Sequence, residues 1–80
     1  MRYREELKSA VSRVILQKLD KSKASSEIAA FAEESIPSAD RARFTEIAES
    51  ELIGLHEGNF ARFRVRPSEF FAWKGAWEAV

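Results

Sequence analysis

The side chains that most often carry chemistry are scarce in this chain. There is one histidine, His56, no cysteine, and aspartate only at Asp20 and Asp40. The missing thiols exclude a cysteine nucleophile, a redox switch, a disulfide-stapled scaffold and a zinc finger. A serine triad would have to recruit His56, and no G-x-S-x-G turn is there to expose a serine. Neither familiar glycine-rich phosphate loop occurs. His56 and Glu57 follow Glu51, but that spacing matches no metal-ligand set. The plain expectation for His56 is a solvated side chain near a helix end. Carboxylates cluster at Glu33, Glu34, Glu49 and Glu51, as they do on solvated helix faces. The sequence therefore predicts no enzyme, no cofactor and no metal, and no small-molecule site is evident in it. A catalytic reading would need a concavity that collects His56, Glu51 and an arginine.

Two features stand above this background. Arg62, Arg64 and Arg66 alternate with Phe63 and Val65. In an extended strand their side chains would share one side, about 6.5–7 Å apart, and could track phosphates or meet carboxylates. The simplest alternative lays them over acidic side chains of a neighbouring helix. The second feature is aromatic density: six of the nine aromatic residues lie from Phe60 onward. Phe70, Trp73 and Trp77 would plug a core left open by the preceding helices. Phe71 points about 100° away from Phe70 on a helix, where an exposed ring marks an interface.

The elements that position these residues follow from periodicity. Leu7, Val11, Val14, Ile15 and Leu19 predict a helix over 3–20, with Ala10 and Tyr3 extending its stripe and Leu16 on the opposite side. A polar break is expected from Asp20 to Ser26. Ser25 or Ser26 would then cap a short second helix ending at Ser35, with Ile28, Phe31, Ala32 and Ile36 as its buried edge. Ala29, Ala30 and Ala32 would let another helix approach closely. Pro37 ends that element. Ser38 is the expected N-cap of a third helix over 39–57, whose apolar face is Phe44, Ile47, Ala48, Leu52 and Leu55. Gly58-Asn59 is its expected stop. Glu51 falls in that apolar sector and needs a partner. Residues 60–66 read as a lone strand or an extended connector. Ser68 is then expected to cap a last helix over 69–79, which Gly75 weakens.

Bulk properties bound the answer further. Leu, Ile, Val and Phe make up a quarter of the 80 residues, and the 13 basic and 13 acidic residues balance, which argues against disorder. A domain of this size buries only about 60–65% of its unfolded surface, so its margin of stability is small. Zero net charge disfavours a general nucleic-acid coat and removes a barrier to self-association. Charge is uneven, with basic ends flanking an acidic middle. No apolar run is long enough to span a membrane, and the N-terminus does not resemble a secretory signal, so a cytoplasmic protein is expected.

Residues 59–73, Asn59-Phe60-Ala61-Arg62-Phe63-Arg64-Val65-Arg66-Pro67-Ser68-Glu69-Phe70-Phe71-Ala72-Trp73, resemble the end of excisionase-like winged-helix proteins. In those proteins a basic wing strand leads into a short helix with an acidic residue and a tryptophan. The resemblance implies a DNA-binding regulatory protein using Arg62, Arg64 and Arg66. The chain departs from that family where its helix-turn-helix should lie. No small-residue turn is evident across 25–51, and Asp40, Glu46 and Glu49 on the third helix oppose the approach of phosphates.

The expected fold is one all-α domain, three helices in a bundle plus a C-terminal aromatic helix joined by a short extended segment. The expected role is a helical protein-interaction module that forms a homodimer or binds another protein. Its contact residues would be Arg62, Arg64, Arg66, Phe71, Trp73 and Trp77, with nucleic acid as the alternative partner.

Overall fold

The periodic apolar stripe of the first segment does become a helix, but a shorter one than the spacing alone predicts. In the computed structural model, which describes residues 2–56 and 58–79, α1 spans Arg4–Leu16. Leu7, Ala10, Val11, Val14 and Ile15 are buried along one face. Lys18 stops the helix by taking a left-handed conformation, φ 54°. Its N–H donates to the Ile15 carbonyl at 3.1 Å, and the Leu19 N–H donates to the Val14 carbonyl at 3.1 Å. This is a Schellman closure with lysine in the place glycine usually fills. It turns Leu19 back against the core.

The polar break collapses to four residues, and α2 spans Lys21–Ser35. The reason is Asp20, not Ser25 or Ser26. Its carboxylate accepts the Lys23 N–H and the Ser22 hydroxyl, both at 3.0 Å, and so caps the helix five or six residues earlier than expected. Ala24, Ile28, Phe31 and Ala32 are buried on α2, while Ala29 and Ala30 face outward. The small residues that allow close approach are therefore Ala24 and Ala32. Arg41 closes the other end of α2. Its Nε donates to the carbonyls of Ala32 at 3.2 Å and Ile36 at 2.8 Å, and its Nη2 donates to the Glu33 carbonyl at 3.0 Å. One side chain thus satisfies carbonyls that a helix end leaves open.

Ser38 does not cap the third helix. Ser38–Asp40 forms a single 3-10 turn, and α3 follows over Arg41–Ile53. Asp40 is drawn away from capping by Tyr3, whose hydroxyl donates to it at 2.6 Å and ties the start of α1 to this turn. That bond raises the tyrosine pKa above its ordinary 10.0, because it holds the phenol protonated. The stop of α3 also comes early, at Gly54 rather than Gly58. The expected last residue, Glu57, lies outside the described residues. Leu55 still reaches the core from beyond the helix.

The last helix, α4, spans Pro67–Glu78. Pro67 takes the first helical position, where its missing N–H has no cost. Glu69 rather than Ser68 serves the helix start, accepting the Arg66 N–H at 3.2 Å. Phe70 and Trp73 are buried, and Trp77 packs partly against the core. α1 is the hub: it touches α2, α3, α4 and the Phe60–Phe63 turn, while α2 also packs on α3. The fold is all-α, with no strand among the described residues, and three helices plus an aromatic fourth form one core. A radius of gyration of 11.9 Å is that of a close-packed chain of this length.

Two outcomes follow from these caps and this core. Asp20→Ala lowers the melting temperature, whereas Asp20→Asn retains an acceptor and loses less. The Lys23 N–H and Ser22 hydroxyl hold the Asp20 carboxyl below its ordinary 3.8, so its contribution is full above that value and is lost as pH falls through the lower folded pKa. Thermal melts across acid pH check this, and the Asn variant has the shallower acid-side slope. Trp73→Ala, at a site 2% exposed, destabilises the fold by about 3–5 kcal/mol in denaturant titrations.

Candidate functional site

The segment expected to be a strand is instead coiled on itself. Phe60–Phe63 is a 3-10 turn, and Arg64 ends it in the left-handed region at φ 59°. The strand expectation and the wing it would supply to a winged helix are both overturned. The physical reason lies in two anchors. The Ser12 hydroxyl on α1 donates to the Phe63 carbonyl at 2.5 Å, and Phe63 is itself buried.

Coiling also dissolves the arginine row. Arg62 donates through Nη2 to the Glu51 carboxylate and lies over the Phe63 ring, 4.9 Å from its centroid. Arg64 is exposed on the left-handed corner. Arg66 is exposed at the start of α4. The three cations do not lie along one edge. Glu51, the carboxylate that needed a partner on the apolar side of α3, has found it in Arg62.

The aromatic residues divide in the same way. Phe70 stacks on Phe60 at 4.6 Å between centroids, Trp73 lies 5.9 Å from Phe70, and Trp77 lies 5.2 Å from Trp73. Trp73 is thus core and not a contact residue, which corrects its assignment to a partner surface. Phe71 is 48% exposed, edge-on to Phe70. Phe71 and Trp77 are six residues apart on α4, about 120° around the helix, so they serve different faces.

Two hollows collect the remaining candidates. The first lies between α1, α3 and the 60–63 turn. It measures about 440 Å³ and is lined by Arg4, Leu7, Lys8, Ile47, Glu51, Arg62 and Phe63. The second lies between the start of α2, the end of α3 and the end of α4. It measures about 320 Å³, with Ala24, Leu52, Ile53 and Trp77 forming its apolar part. Lys21 and Glu49 also line it. The Lys21 ammonium sits 5.8 Å from the Trp77 ring centroid, and Glu49 accepts the Ser25 hydroxyl at 2.7 Å. Ile53 is 75% exposed, the most exposed of the large apolar side chains described.

His56 lines neither hollow. It is exposed, and its backbone N–H donates to Asn59 Oδ1 at 2.8 Å. Glu51 and Arg62 meet, but the histidine required to complete a catalytic cluster does not join them. Among the described residues, no group of His, Asp and Glu converges as a metal site. No helix of the described residues is long and apolar enough to cross a membrane.

Ile53, Lys21, Arg4 and Lys8 are the residues that motif and periodicity reading passes over. Ile53 carried one signal, since it follows Leu52 and so stands about 100° off the buried face of α3. The basic pair carried another: Arg4 and Lys8 are four apart and share a helix side.

Comparison with protein-family models, with curated proteins and with solved structures finds no match to this chain.

The Glu51–Arg62 pair is half exposed, with side chains 27% and 51% accessible. A double-mutant cycle with Glu51→Ala and Arg62→Ala should therefore give a coupling of about 0.2–1 kcal/mol that shrinks with added salt. A salt-independent coupling well above that range would show the pair to be a keystone of the turn.

Proposed function

We propose that this chain is a small cytoplasmic, non-enzymatic helical module that acts through protein contacts, and that its first partner is a second copy of itself. The observation that carries this reading is the hollow built by Ala24, Leu52, Ile53 and Trp77, where an isoleucine stands 75% exposed beside a tryptophan. Exposed apolar surface next to an aromatic is the composition of an interface centre. It keeps the C-terminal aromatic helix as the contact element but moves the contact from Phe71 and the arginines to Trp77.

Self-association is favoured over an unrelated partner by charge. A two-fold interface brings the same patch together with itself, so the patch must be self-complementary. This hollow carries one lysine, Lys21, and one carboxylate, Glu49. Across a two-fold axis, Lys21 of each copy faces Glu49 of the other, while Ile53 and Trp77 meet at the centre. The chain's net charge of zero adds no repulsion between copies.

Sedimentation at rising concentration tests this. The expected result is a dimer in the high micromolar range that Ile53→Lys converts to monomer without loss of helicity. Lys21→Glu also weakens the dimer, and Lys21→Glu combined with Glu49→Lys restores it. A wild-type chain that stays monomeric, or a double swap that fails to restore a dimer lost on Lys21→Glu, overturns the reading. Salt-sensitive binding to duplex DNA that Arg64→Ala and Arg66→Ala weaken would favour a nucleic-acid partner instead.

A further inference from the structure

We infer that the hollow between α1, α3 and the Phe60–Phe63 turn binds a small amphiphilic anion, a carboxylate or phosphate head carrying a short apolar chain. It is separate from the self-association surface and shares no lining residue with it. Its volume of about 440 Å³ falls in the range of small-molecule sites, about 300–1,000 Å³.

The lining is divided by chemistry. Leu7, Ile47 and Phe63 give the hollow an apolar wall continuous with the core. Arg4, Lys8 and Arg62 supply three positive charges, and Glu51 supplies the single negative one. Glu51 is already engaged by Arg62. Among the described residues, Arg4 makes no ion pair, and Lys8 reaches only Glu5, at 4.0 Å with Glu5 mostly exposed. Two cations therefore remain to bind an anion.

Their placement matters as much as their number. Arg4 and Lys8 sit one helical turn apart on α1, on the side where Leu7 faces the hollow. An anionic head held between them leaves its chain lying across Leu7, Ile47 and Phe63. Neither half of such a ligand suffices alone. A bare anion gains only two partly solvated contacts, which water screens. An uncharged chain gains the apolar wall but not the charge-assisted hydrogen bonds. A cationic chain meets like charge.

The test is isothermal titration or chemical-shift mapping with octanoate and octyl phosphate, against acetate, inorganic phosphate, octanol and octylamine. Both octyl anions are expected to bind and to shift resonances of Leu7, Ile47 and Phe63, with the head preference read from the pair. Acetate, phosphate and octylamine are expected not to bind at the same concentrations. Arg4→Ala with Lys8→Ala, at the mouth of the hollow with Arg4 exposed and Lys8 part-exposed and neither in the core, should leave melting unchanged and weaken the octyl anions about tenfold. Three results would overturn the proposal: no binding of either octyl anion, equal binding of octanol, or affinity unaltered in the double variant. Sedimentation of the same variant separates this site from the other surface, because Arg4→Ala with Lys8→Ala leaves self-association as it is in the wild type.

Discussion

Burial of the aromatic side of α4 against α1 is the constraint on which the rest of the structure depends. Three helices of this size enclose too little apolar volume, and α1 would have a bare side. Phe70 and Trp73 cover it, each almost fully buried. A fully buried indole removes roughly 200 Å² from water, worth about 5 kcal/mol. The Trp73 Nε1–H finds no acceptor among the described residues, which costs about 1–3 kcal/mol. Burial outweighs that loss, so α4 holds its place despite an imperfect seat. Gly75 in the middle of α4 makes the point from the other direction: this helix depends on docking more than on its own propensity.

Docking α4 dictates how the chain must return from α3. Phe63 enters the core next to α1, and its carbonyl takes the Ser12 hydroxyl. The backbone of 60–63 has to coil to do this, and Arg64 has to take a left-handed corner to leave. Arg62 then falls over Glu51, and Arg4 and Lys8 of α1 are left facing the hollow beside it. The basic ends and the acidic middle of the chain thus meet at Arg62–Glu51 and at Arg13–Glu27, with Arg4 and Lys8 left beside the first of these pairs. At the other end of α4, Trp77 caps a second hollow whose floor α2 and α3 provide. Both surfaces are consequences of one packing event.

Much of the architecture was legible in the sequence. The stripe Leu7, Val11, Val14 and Ile15, the edge Ile28, Phe31, Ala32 and Ile36, and the set Phe44, Ala48, Leu52 and Leu55 are all buried as periodicity requires. Element ends were less legible, because the groups that set them act over distance or by context. Ser38 is a good cap by composition, yet it falls in a 3-10 turn before α3, and Tyr3, 37 residues away from Asp40, ties that turn down through its carboxylate. Arg41 follows no capping pattern, yet it closes α2 through three carbonyls. The 62–66 alternation is a sound strand signal with no second strand to pair, and tertiary burial of Phe63 overrode it. For the surfaces, Arg62 and Trp77 were legible from charge and aromatic density. Ile53, Lys21, Arg4 and Lys8 became visible only once the helices were set side by side.

The most direct test removes what α4 contributes. A chain ending at Gly58 keeps α1, α2 and α3 but lacks the aromatic cover. Its thermal melt, followed by circular dichroism beside the full chain, should lose cooperativity, with α1 exposed and the helices only partly formed. A truncated chain that melts as sharply, and at the same temperature, as the full one would contradict the account.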